Sequence, residues 1–78
     1  MMTEEMAGSY SAWAVPSLRT IRWSKTLTQT DLAKRSGVSR TTIVRLEAGE
    51  LAYAGTIRKL AKALGVSVNA LQAEPQDG

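Results

Sequence analysis

The stretch LTQTDLAKRSGVSRTTIVRLEAG, residues 27–49, spells out the same helix grammar twice in immediate succession, and no other feature restricts the fold as much. Thr28 is an N-cap residue type with Asp31 three positions on, so the free amides of a first turn meet a hydroxyl and a carboxylate. Leu27 and Leu32 flank that cap as a hydrophobic staple. The pattern returns with Ser39 as the cap and Val38 and Ile43 as the staple. Each segment then runs into a glycine, Gly37 and Gly49, able to close a helix in the left-handed conformation. Two short helices joined by a tight turn follow from this spacing.

The faces of the two helices are unequal. Ala33 is small enough to let a crossing helix approach, and Gly37 permits the positive φ of a sharp turn. On the second helix Ile43, Leu46 and Glu47 share one face; Arg40, Thr41, Val44, Arg45 and Ala48 share the other. That outer face is cationic and short-chained near its start. It suits a helix laid in a nucleic-acid groove, with cations for phosphates and guanine edges and small residues where the backbone comes close.

Composition narrows the alternatives. A chain of 78 residues, 44% hydrophobic, supports one core. Without cysteine or histidine it has no disulfide, no thiolate nucleophile, no imidazole base and none of the usual zinc ligand sets. The carboxylates form no recognisable acid/base pair and no hydroxyl has a base beside it in sequence, so no catalytic, cofactor-binding or metal residue is assigned. No run reaches membrane-spanning length and MMTEEMAGSY is acidic, so no membrane role and a cytoplasmic location are expected. All ten Lys and Arg lie within residues 19–62 against three carboxylates, a local net charge of +7. The other four carboxylates sit in the tails. A basic body with acidic tails favours a polyanionic partner over a merely solvated charged surface.

The segments LTQTDLAKRSGVSRTTIVRLEAG and LAKALGVSVNAL together make residues 17–72 resemble the helix-turn-helix family of lambdoid phage repressors and Cro proteins, the Cro/C1 or XRE type, which also includes antitoxins. The resemblance implies an all-α, compact five-helix, lambda-repressor-like domain with the helix-turn-helix at helices two and three, and double-stranded DNA as partner. It places Arg40, Thr41 and Arg45 at the base-reading positions, where an arginine can hold O6 and N7 of guanine and a threonine methyl can touch thymine. Arg40 reads equally as a phosphate ligand. It places Gln29, first in its helix, against a phosphate, with the hydroxyls of Ser39 and Thr42 near the backbone, although Ser39 also has its capping duty. It pairs Arg22 with Glu47 as a structural ion pair. One departure stands out: Thr26 occupies a position where the family favours glycine, so the loop there is either strained or of another form.

The rest of the chain reads as support. Residues 1–14 are expected to be a flexible arm, complicated by Tyr10 and Trp13; residues 15–73 form the domain; residues 74–78 fray. Pro16 suits the opening of a first helix over residues 17–25 with Leu18 and Ile21 inward. The segment ELAYAGT reads as a loop without cations, with Tyr53 as a hydrophobic plug. A fourth helix is expected over residues 56–64, with Ile57, Leu60, Ala61 and Leu64 inward, ending at Gly65. A fifth opens at the cap Ser67, with Val66 and Leu71 as its staple and Val68 and Leu71 closing the core. The function expected is a dimeric repressor on a partly palindromic operator. The alternatives are an antitoxin with a toxin or other regulator as protein partner, and a protein-interaction module that reads no DNA.

Overall fold

Leu18, Leu32, Ile43, Leu60 and Leu71 are all completely buried, and each comes from a different helix. The computed structural model describes residues 11–75 of the chain. Their order is β1 (Ala12–Trp13), α1 (Leu18–Ser24), α2 (Gln29–Ser36), α3 (Arg40–Glu47), β2 (Ala52–Tyr53), α4 (Ala54–Leu64) and α5 (Val68–Gln72). Short helices gain little from propensity alone, so each depends on the apolar side chain it delivers to the shared centre. The longest, α4, buries Ile57, Leu60, Ala61 and Leu64 along one stripe and packs against α2, α5 and β2. Arg58, Lys59 and Lys62 stay exposed on its other side, as the spacing predicts.

The helix ends follow the sequence closely. Thr28 and Asp31 form a reciprocal capping box: the Asp31 amide donates to the Thr28 hydroxyl at 2.9 Å, and the Thr28 amide donates to the Asp31 carboxylate at 3.0 Å. Ser39 and Ser67 accept from the amides of Thr42 and Ala70 in the same way. Gly37 takes φ 78° and turns the chain from α2 into α3. The N-terminal end of the domain is tied to its C-terminal helix, because the Ser17 amide donates to the Leu71 carbonyl and the Ser17 hydroxyl to that of Ala73.

Five local expectations change. The arm expected to run to residue 14 is, over its described part, held to the domain: Ala12 stands opposite Tyr53 and Trp13 opposite Ala52 in an antiparallel pair. Val15 beyond it is buried and draws the chain inward. Residues 1–10 and 76–78, with most of the arm, Tyr10 and the end of the tail, lie outside the described residues. The expected loop after Gly49 contains β2, and α4 begins at Ala54 rather than Thr56, with Tyr53 as a cap residue that offers no side-chain bond. A rule that looks for a polar cap stops at Thr56; here the extended backbone of the strand feeds straight into the helix. Tyr53 is no plug, being 60% exposed, because strand alternation turns Ala52 inward and its neighbour out. Val68 is only partly buried, and Leu71 does the closing of the core.

Thr26 adopts the left-handed form, with φ 56°. Its amide donates to Trp23 at 2.9 Å and the Leu27 amide donates to Arg22 at 3.2 Å, the paired bonds that close a helix in a Schellman turn. The glycine-like turn therefore forms without glycine. A left-handed L-residue costs about 1–2 kcal/mol, while glycine's extra freedom in the unfolded chain costs about 0.4–1 kcal/mol. Thr26→Gly is expected to raise stability by about 0.5–1 kcal/mol, read as a higher urea midpoint at unchanged slope; a lower midpoint would contradict the strain assigned to Thr26.

Candidate nucleic-acid interface

A single carboxylate fixes the attitude of α3. The Arg22 Nε donates to Glu47 Oε2 at 2.7 Å and its Nη2 to Oε1 at 3.0 Å, a two-pronged pair whose side chains are 5% and 6% exposed. The third arm of the guanidinium, Nη1, donates to the Leu27 carbonyl at 2.8 Å. The ion pair expected between Arg22 and Glu47 is thus present, and it reaches further than the sequence suggested. It fastens the end of α1 to the end of α3 and also to the loop that enters α2.

Gln29 joins the same carboxylate, its Nε2 donating to Glu47 Oε1 at 3.0 Å. Its place at the start of α2 suggests a side chain free for an outside anion; one of its N–H groups is instead committed to Glu47, leaving the second N–H and the carbonyl. Nothing in the one-dimensional pattern signals this, because Gln29 and Glu47 meet only once α2 and α3 cross. Burial pushes the Glu47 carboxyl up, but the hydrogen bonds from Arg22 and Gln29, and the charges of Arg22 and Arg19, outweigh it and hold the group below the usual carboxylate value. The same bond with Glu47 raises Arg22 above its ordinary value. The backbone N–H of Thr28, followed by its hydroxyl, lowers exposed Asp31.

With its inner face held by Ile43, Leu46 and Glu47, α3 turns Arg40, Thr41, Val44, Arg45 and Ala48 outward, and all five are exposed. The guanidinium groups of Arg40 and Arg45 have no hydrogen bond or ion pair among the described residues. Ser39 caps α3 and also donates to the Thr42 hydroxyl at 2.9 Å. The two hydroxyls expected near a phosphate therefore form one hydrogen-bonded unit, with Ser39 exposed and Thr42 half-buried behind it. Gly49, at φ 110°, ends the helix through amide bonds from Gly49 to Leu46 and from Glu50 to Arg45. Among the described residues no group of carboxylates, histidines or cysteines could hold a metal ion, and no helix is long and apolar enough to cross a membrane.

Two short crossed helices around a left-handed glycine, the second with one face anchored and the other offered to solvent, define a helix-turn-helix module. Residues 18–71 match the family model described as Helix-turn-helix, and the chain belongs to that family, in its Cro/C1 type. It is similar to the crystal structure of the hypothetical transcription factor NHTF from Neisseria, with TM-score 0.70 and 32% identity, over 78% of this chain and 70% of that one. No curated protein matches.

The buried pair yields a prediction with two parts. Glu47→Gln leaves the Arg22 charge without its counter-ion and should cost about 3 kcal/mol or more, whereas Arg22→Met with Glu47→Leu should cost far less, because no charge is left buried. Equal losses in urea denaturation would contradict this. Since the folded Glu47 carboxyl is lowered, its stabilisation is complete above an unfolded value of about 4.3 and disappears as pH falls through the lower folded value. Stability should therefore fall below about pH 4.3, and the fall should be shallower in the double variant; Asp31, shifted in the same direction, supplies the part that remains.

Proposed function

We propose that the chain is a sequence-specific DNA-binding transcription regulator, most simply a repressor, whose α3 enters the major groove. The observation that carries this reading is the outer face of α3: two exposed, unengaged arginines flank Thr41 on a helix whose orientation is fixed from behind by Glu47. Family membership supports it, as does the likeness to a hypothetical transcription factor. In this reading Arg45 and Arg40 address base edges, Arg40 also reaching the backbone, and Thr41 packs on a thymine methyl. Gln29, with the free amides at the start of α2, and the Ser39 and Thr42 pair meet phosphates on either side. Held by Glu47, the Gln29 amide presents its remaining N–H in a fixed direction.

One such helix spans only a few base pairs, so we place two copies about 34 Å apart on one face of the duplex, as a homodimer on a partly palindromic operator. The surface assigned to that contact is α5 with Trp13, where Trp13, Ala54, Ile57, Val68 and Gln72, with Arg58 at their side, line a mainly apolar groove. The same exposed apolar surface supports the second reading, an antitoxin that binds a toxin as well as its own operator; co-purification of a second, unlike chain from the native host would favour it.

The test begins with selection of bound sequences from random duplexes. Arg45→Ala should then weaken binding to the selected site by about 1–3 kcal/mol and relax preference at one base pair. Unchanged affinity and unchanged preference would overturn the assignment of α3 as the reading element.

A further inference from the structure

The surface beside α3 carries a side chain that the reading above leaves unused. Trp23, near the end of α1, is 60% exposed, and its ring lies 5.2 Å from the Arg22 guanidinium. It borders a shallow concavity whose other walls are Arg19 on α1, Gln29 at the start of α2, and Val44 and Ala48 on the outer face of α3, with Arg22 and Glu47 between them. An exposed indole is thus continuous with the surface that faces the duplex. Its Nε1–H has no hydrogen-bond acceptor among the described residues.

Resting on the proposed function, we infer that this concavity receives the sugar–phosphate backbone of the DNA at the flank of the reading helix, with Trp23 as a contact residue and Arg19 as its cation. Charge supports the assignment: the only carboxylate in the concavity, Glu47, is already neutralised by Arg22, so Arg19 leaves the surface net positive. Chemistry supports it as well, because a deoxyribose offers an apolar face to a ring and the adjoining phosphate accepts an indole N–H, and side-chain donors to phosphate make up much of any protein–DNA contact. Arg19 and Trp23 lie four residues apart on α1, hence on one face and within reach of one phosphodiester stretch. Stacking with Arg22, itself held at three points, gives the indole a defined orientation before DNA arrives. The backbone contact carries register and affinity but no base preference.

Affinities are read on the unsubstituted chain and on its Trp23 and Arg19 variants; Trp13→Phe protein, which retains Trp23 as its one tryptophan, serves only to report emission. A labelled random-sequence duplex at low salt reports binding by anisotropy, and the tryptophan emission, followed with unlabelled duplex, reports Trp23. Emission should change along the same isotherm as the anisotropy. Trp23→Ala should weaken duplex binding about fivefold, the worth of one hydrogen bond, with an unchanged salt slope. Arg19→Ala should lower that slope by about 0.9, the share of one phosphate contact. Duplex binding with unaltered emission and unaltered affinity of Trp23→Ala would overturn the inference while leaving the proposed function intact. Absence of duplex binding even at low salt would overturn both. Emission that shifts with protein concentration in the absence of DNA would assign Trp23 to a contact between copies and overturn the inference alone.

Discussion

Three helices meet at the Glu47 carboxylate, and the placing of the outer face of α3 depends on it. Two N–H groups of Arg22 and one of Gln29 converge on its oxygens, while the last N–H arm of Arg22 holds the Leu27 carbonyl. Energetically such a buried pair is a weak source of stability, since both groups lose water to form it. Its worth lies in direction. The guanidinium plane donates to the carboxylate in one orientation, so the angle of α3 against α1 and α2 is set by directional hydrogen bonds as well as by the softer fit of Ile43 and Leu46 in the core. In the proposed function a helix of eight residues tolerates little rocking, because its side chains would have to meet base edges within hydrogen-bond reach.

The turns serve the same end. At Thr26, Gly49 and Gly65 the helix closes by one motif, in which the second residue past the cap donates back across the last turn, as in Leu27 to Arg22, Glu50 to Arg45 and Val66 to Ala61. Thr26 does this at a conformational cost that a glycine would avoid. Arg22 is anchored to the carbonyl of the very next residue, Leu27, so the strained turn and the buried pair belong to one unit.

The helix pair was legible because it is written locally: caps, staples and glycines sit within a few residues of the bonds they make, and Thr28, Ser39 and Ser67 act as their neighbours imply. The exposed face of α3 followed from helical spacing alone. Pairing of Arg22 with Glu47 came from resemblance, since residues so far apart in sequence carry no local sign of contact. Contacts made only through tertiary packing escaped. The strand of Ala12–Trp13 is two residues long, below the length at which alternation can be seen, and it exists because Ala52–Tyr53 lies beside it. The same strand pairing turns Tyr53 outward, and Gln29 meets its partner only across a helix crossing, neither of which is visible in local spacing.

The central claim is that the outer face of α3, aimed by Glu47, is what a duplex meets. Amide chemical-shift mapping of the isotopically labelled chain during titration with a selected duplex tests it most directly. The account predicts that the largest shifts fall on Gln29 and on residues 39–45, with the outer side of α4, Arg58 to Lys62, nearly unmoved. Large shifts confined to α4 and α5, with Arg40, Thr41 and Arg45 silent, would contradict it.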